Sequence, residues 1–319
     1  MKRFIVMLVV LVCAGAAAAQ SYPNRPIRIV IPWPPGQATD LMARIVAMKL
    51  SEQFGYQVVA DNRPGASGLI GTEIAAKATP DGYTVLAASS GPISISPLLQ
   101  KVPFDPVKDL TPVAHVVSAP FLLVSHPALP PKTAREFVAY GRANPGKLRF
   151  GTSGTGATAH LFTEAFNSRA GLQAIHVPYK GSVPALIDVM GGQVEYALET
   201  VAATFPHVKA GKLRAYGVTT PKPSALAPGI EPLATAADLP GFEVVGWIGV
   251  MMPSGTPKAI VDRVSGAVDK AMQSPDTGER LAAAGLEVDY RNAAGMSDYL
   301  KVLRERYADI IKKNNIRIE

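Results

Sequence analysis

IRIVIPWPPGQATD, residues 27–40, decides how the rest of the chain is read. Residues 27–31 form an apolar run rich in isoleucine and valine, the composition of a strand buried on both faces. Pro32, Pro34, Pro35 and Gly36 then stop both strand and helix. Ala38-Thr39-Asp40 restarts the chain as a helix, with a hydroxyl and an acid in the first turn, where free backbone amides favour them. A strand, a tight loop and a helix N-terminus within fourteen residues are the opening of a parallel α/β sheet. The loop carries no lysine, cysteine or histidine.

Outward from this stretch, strand-like and helix-like segments alternate. The spacing of Leu41, Ile45, Met48 and Leu50 predicts a helix over 38–53. A strand over 58–60, a helix over 68–78 and a strand over 84–88 complete a β-α-β-α-β run. A second set follows. Strands are expected at 121–124, 148–151, 174–178, 194–198 and 213–219, and helices at 133–143, 158–170, 183–190 and 204–210. Residues 221–240 are irregular and rich in proline and alanine. A long apolar strand at 242–251 precedes helices at 258–272, 277–284 and 296–313. The helical C-terminus implies that the chain returns to its first unit, with crossings near 120 and 247 acting as a hinge.

LRFGTSGTGATAH, residues 148–160, repeats the build of the first stretch: strand, glycine loop, helix N-terminus. In open α/β sheets ligands sit beyond the carboxyl ends of the strands, and helix N-termini favour anions. One such loop is an ordinary capped turn; two, one per unit, point to a cleft that grips one anion from both sides. Sharper motifs fail here. A phosphate loop needs lysine where Ala157 stands, and a nucleophile elbow needs glycine where Thr155 stands. Residues 154–159 match G-x-G-x-x-A, but the next strand ends without the acid that would hold a ribose. The five histidines make no zinc spacing, and His160 and Glu164 one turn apart read as a hydrogen-bonding pair rather than a metal pair. No cofactor, no metal and no catalytic residue is expected, and no enzyme.

The chain has 319 residues, 48% hydrophobic and 18% charged, enough for one large or two smaller domains. Lys2-Arg3, the apolar run 4–14 and the alanines at 16–19 read as a signal peptide over 1–19. The apolar run is shorter than the ~20 residues a membrane span needs. Cys13, the only cysteine, falls inside it, so the mature chain has no disulfide. The net charge of +7 falls to +5 without Lys2 and Arg3, and the basic residues are scattered, so no nucleic-acid partner is expected.

Ordered blocks along the whole mature chain resemble the extracytoplasmic receptors of tripartite tricarboxylate transporters, the Bug family. They are YPNRPIRIVIPWPPGQATD (22–40), ADNRPGASGLIGTEIAAKATPDGYTVLAASSG (60–91), FDPVKDLTPVAHV (104–116), GKLRFGTSGTGATAHL (146–161), IHVPYKGSVPALIDVMGGQVEYAL (175–198), VKAGKLRAYGVTT (208–220) and GFEVVGWIGVMMPSGTPKAIVDRV (241–264). The resemblance implies an α/β two-lobe periplasmic binding protein fold of type II. Each lobe would be a mixed, mainly parallel sheet flanked by helices. Lobe 1 is expected over 21–120 plus 248–319 and lobe 2 over 121–247. It implies a monomeric periplasmic receptor that captures a small di- or tricarboxylate or aromatic acid and delivers it to integral-membrane permease subunits. A receptor of the same fold could instead present its closed form to a membrane sensor kinase, and an exported hydrolase on this fold would show turnover.

Carried over by motif, Gly36, Thr39 and Asp40 belong to the first lobe's grip, with Ser89 and Ser90 on the same side. Ser153, Thr155, Gly156 and Thr158 belong to the second, and Tyr179 and Lys180 lie towards the hinge. The chain departs from the family pattern at three places. Gln37 stands where a second glycine is usual, and either adds an amide near the ligand or restricts a left-handed turn. Trp33 stands where phenylalanine is commoner, and narrows the cleft, stacks on a flat ligand, or packs between lobes. Glu199 stands where aspartate is usual, and is either a site acid or a solvated strand end.

Overall fold

The computed structural model describes residues 22–317; the expected signal peptide lies outside them. In chain order the elements are β1 (Ile27–Ile31), α1 (Ala38–Phe54), β2 (Val58–Asn62), α2 (Leu69–Ala76), β3 (Thr84–Ser89) and β4 (Leu110–Ser125). Next come α3 (Ala134–Ala143), β5 (Leu148–Thr152), α4 (Thr158–Ala170), β6 (Ala174–Pro178), α5 (Ser182–Met190), β7 (Tyr196–Thr200), α6 (Val201–Lys209) and β8 (Arg214–Val218). The chain ends with β9 (Val245–Pro253), α7 (Lys258–Met272), α8 (Pro275–Ala283), β10 (Glu287–Asn292) and α9 (Ala293–Lys313). Among the described residues no helix is long and apolar enough to cross a membrane.

Two parallel units flank two long antiparallel strands, in the order β2-β1-β3-β9-β4-β7-β5-β6. In the first unit β1 lies between β2 and β3, parallel to both. In the second, β5 lies between β6 and β7, again parallel to both. Every antiparallel pair involves β4 or β9. β4 changes partners along its length. Residues 110–120 pair with β9, and 121–125 pair with β7 and β8. On the first side only β9 and β10 oppose the common strand direction, and on the second only β4 does. Both sheets are therefore mixed with most strands running one way.

Three features depart from the sequence reading. β4 is 16 residues long, where a strand was expected only over 121–124. Pro112 and Pro120 argue against a strand interior, but Pro112 falls at a register shift to Ala114, and Pro120 falls where β4 leaves β9 for β7. β10 was not anticipated, because EVDYRN is a short, largely exposed edge strand without an apolar face. After β3 the chain makes a π-helical turn, Gly91–Ile95, and an α turn, Ser96–Leu99, in a segment to which the sequence reading assigned no element.

The largest apolar cluster runs across both units. Leu86 and Ile93 from the first meet Phe121, Phe150 and Phe162 from the second, and Leu303 and Tyr307 of α9 cover them. The C-terminal helix therefore braces both sides. α2 can lie against the loop after β1 only because residue 71 is glycine. A Cβ there would come within 2.6 Å of the Arg63 carbonyl and 2.7 Å of Pro32 Cα.

Candidate functional site

The loops after β1 and β5 face each other across a cleft, as their places at the carboxyl ends of two strands require. In the first loop Gly36 takes the left-handed conformation, with φ +84°. Gln37 is extended, with φ −80° and ψ 159°, and precedes α1 without capping it. No left-handed turn falls at position 37, so a side chain is accommodated there without strain. Gly181 leaves room for it, since a Cβ on Gly181 would come 2.7 Å from Gln37 Nε2.

In the second loop Gly154 and Gly156 have φ of +129° and +75°. The two sides touch through serine hydroxyls of the first that reach the main chain of the second. Ser67 Oγ donates to the Thr155 carbonyl at 2.6 Å, and Ser96 Oγ donates to the Gly156 carbonyl at 3.0 Å.

The cleft has two chambers. The inner one, about 50 Å³, is lined by Trp33, Gln37, Thr39, Ser89, Ser90, Ser153, Thr158 and Glu199 among others. At roughly 10–15 Å³ per water, it has room for a few waters or one small polar group. The outer one, about 380 Å³, is lined by Ser67, Gly68, Thr155, Tyr179 and Lys180 among others. Trp33 and Ser153 line both. Trp33 is 6% exposed, and its indole N–H donates to Ser89 Oγ at 3.0 Å.

Three residues expected in the grip do not line either chamber: Gly36, Asp40 and Gly156. Asp40 is 2% exposed and its carboxylate is fully occupied. It accepts from the Gly36 N–H at 2.9 Å, from Asn62 Nδ2 at 2.8 Å and from Arg44 Nε at 3.0 Å. It holds the loop in shape from behind. The Gly156 N–H donates to His160 Nδ1 at 3.2 Å and is likewise spent. Tyr179 reaches the outer chamber, while its hydroxyl donates to Asp188 at 2.6 Å. Sequence reasoning missed Ser182, Thr200 and Trp247, which also line the inner chamber. Ser182 could have been found, since it follows Gly181 at the start of α5. Trp247, inside an apolar strand, carried no such signal.

Behind the second loop His160 stacks on His176 with ring centroids 4.1 Å apart, and His176 Nε2 meets Thr152 Oγ1 at 2.7 Å. The His160–Glu164 approach is long, at 3.9 Å. Among the described residues no group of three His, Cys, Asp or Glu is placed to hold a metal ion. Burial pushes His160 down to about 4, and burial with the neighbouring His160 pushes His176 down to about 3. Burial also lowers His115 to about 4. All three are neutral in the fold at pH 5, whereas an unfolded chain would protonate them below about 6.5. Unfolding then takes up protons, so their contribution to stability is full above about pH 6.5 and is lost as pH falls towards 3–4. The thermal midpoint is expected to drop over that interval, with a smaller slope in His115→Gln. A midpoint that stays flat from pH 6.5 to 4 would contradict these three burials.

Glu199, at the end of β7, is 3% exposed, so it is no solvated strand end. Its Oε2 accepts from the Thr200 N–H at 3.1 Å, while Oε1 is buried without a partner. Burial raises the carboxyl to about 7, and the hydrogen bond from Thr200, with the donors of nearby Ser153, opposes this. Gln37 Nε2 is the other buried, unpartnered polar atom of the inner chamber.

Comparison with known proteins agrees with this geometry. Residues 42–316 match the model of the tripartite tricarboxylate transporter family receptors. Protein BugT of Bordetella pertussis is 34% identical, over 100% of this chain and 99% of its own. Among solved structures, R. palustris Rpa4515 with adipate superposes with a TM-score of 0.90 at 33% identity, covering 93% of this chain and 99% of that one. The periplasmic binding protein BugD gives 0.88 at 32%, covering 93% and 100%. The two-unit sheet, its facing glycine loops and these likenesses make the chain a member of the tripartite tricarboxylate transporter receptor family, the Bug proteins, a family of solute-binding receptors and not of enzymes.

Proposed function

We propose that the protein is a periplasmic receptor that closes on a small carboxylate and delivers it to the membrane permease of a tripartite tricarboxylate transporter. The observation that carries this reading is the inner chamber. Hydroxyls of Thr39, Ser89, Ser153 and Thr158 and the free amide of Gln37 converge there from both sides of the cleft, while the Ser90 hydroxyl in the same wall is engaged by the Trp247 main chain. Neutral donors of this kind grip an anion and release it unchanged. The inner chamber takes one carboxylate group, and the outer chamber takes the rest of the molecule past Trp33. The adipate held by Rpa4515 is an acid of this shape. Gly36, Asp40 and Gly156 act by shaping the two loops.

In this reading lobe 1 comprises 21–120 plus 248–319 and lobe 2 comprises 121–247, with the hinge where β4 exchanges β9 for β7. The receptor is exported with loss of residues 1–19 and works as a monomer.

A thermal-shift screen over carboxylates, amines and sugars tests this. An acid present at a hundredfold its Kd should add about 2.7 kcal/mol of stability. Thr158→Ala, which empties a donor position in the inner chamber, should weaken acid binding roughly ten- to a hundredfold, the worth of one hydrogen bond to a charged group. Thr155→Ala, in the outer chamber, should do less. A midpoint moved by sugars or amines and by no acid would sink the reading.

A further inference from the structure

The inner chamber contains a contradiction for a carboxylate receptor. Among the described residues Glu199 is its only titratable lining residue, and no lysine, arginine or histidine lines it. An ionised Glu199 would face the ligand's carboxylate across a space of about 50 Å³, where like charges repel strongly. Yet Glu199 Oε1, at the end of β7, and Gln37 Nε2, just before α1, are both buried without partners, and both residues line this space. Buried polar groups without partners are rare enough to need a reason.

We propose that Glu199 binds the ligand in its protonated form, so that capture of a carboxylate takes up one proton. This rests on the reading of the cleft as an acid-binding site. The proton on Oε1 is donated to one oxygen of the ligand carboxylate, and Gln37 Nε2 donates to the group from the other side. A carboxyl–carboxylate hydrogen bond is of the short, strong kind. Both orphaned atoms are then satisfied, and the pair carries one negative charge instead of two. Above neutral pH the proton comes from solvent, and it returns there when the ligand leaves.

The charged neighbours do not supply an alternative. On the elements packed against β7 the titratable groups are His115 on β4, Arg149 on β5, His160, Glu164 and Arg169 on α4, Asp188 on α5, and His207 and Lys209 on α6. Tyr196 and Glu195 lie on or beside β7 itself, and Asp40 lies across the cleft on α1. None of these lines the chamber. Arg149 is engaged by Glu195 at 2.7 Å, Asp188 by Tyr179 at 2.6 Å, and Asp40 by Arg44 at 3.0 Å. Burial, not a neighbouring charge, is what disfavours the ionised form of Glu199.

The experiment is calorimetric titration of the full mature chain with adipate between pH 6 and 8.5. Each point is measured in two buffers of different ionisation enthalpy. Ordinary carboxylates titrate near 4, so adipate keeps its charge over this range. Affinity is expected to fall as pH rises, approaching tenfold per unit above about 7, with proton uptake rising towards one per ligand. Glu199→Gln, which places a permanent donor where the protonated acid stood, should flatten the profile and bind adipate more tightly than the wild type at pH 8.5. Glu199→Ala should weaken binding at every pH.

A wild-type affinity independent of pH overturns the proposal. So does one that rises with pH, or a slope that persists in Glu199→Gln. Loss of binding in Glu199→Gln with an unchanged melting midpoint would mean that an ionised Glu199 meets a cationic ligand group, and also overturns it. If neither adipate nor any other acid binds at any pH, the acid-receptor reading itself has failed.

Discussion

Asp40→Ala is expected to cost about 3 kcal/mol in stability, the order seen when one partner of a buried ionic network is removed. The carboxylate has three protein partners, and each is left without its acceptor. Gly36 then has a free N–H at the tightest point of the loop. Asn62 still donates to the Trp33 carbonyl at 2.9 Å, but loses the second anchor that keeps it there. Arg44, about half exposed, recovers some of its loss from water.

Burial alone would raise the Asp40 carboxyl, but hydrogen bonds from Arg44, Asn62 and Gly36 outweigh this and hold it below its ordinary value. The acid therefore stabilises the fold fully above about pH 4 and loses that effect as pH falls through its depressed value. The gap between wild type and variant should close in strong acid. Urea denaturation at pH 7 and pH 3 measures both quantities. Asp40→Asn keeps the shape without the charge and should fall between the two. An Asp40→Ala protein within about 0.5 kcal/mol of wild type at pH 7, the range of an ordinary surface change, would show that the loop stands without this network.

Trp33→Ala is expected to have a larger effect still, about 3–5 kcal/mol, as for other buried large aromatics cut to alanine. The indole packs so closely against Gly68 that a Cβ there would come 3.2 Å from Cζ2. Removing the ring joins the two chambers and frees Ser89 from its donor. Acid affinity should fall together with stability. Trp33→Phe separates the two roles. It keeps most of the ring and removes the N–H, so it should cost only about 1 kcal/mol and should retain acid binding. Equal losses in the alanine and phenylalanine variants would mean that the hydrogen bond to Ser89, not the ring, is what matters.

These effects mark the boundary of what could be read from sequence. Periodicity and breakers located β1, α4, β6 and α7 with their observed limits, because in each the local pattern and the tertiary environment agree. β4 was read only in part, since Pro112 and Pro120 speak against a strand until its neighbours and bulges are known. β10 exists because β4 offers it an edge, which its own charged sequence does not announce.

By itself the sequence determined the two strand–loop–helix units and the chemistry available at their loops: hydroxyls, amides and glycines, with no nucleophile and base in a recognisable pattern. Tertiary structure decided which of those groups face the cleft. Asp40 and Gly156 sit in the same motifs as Thr39 and Thr158, yet hydrogen bonds from Arg44 and Asn62 to Asp40, and from the Gly156 N–H to His160, turn them away. Gln37 and Glu199 are 162 positions apart in the chain, and no local pattern links them. They share one chamber because the sheet brings the end of β7 opposite the start of α1, and burial there gives Glu199 an acidity that its residue type alone does not specify.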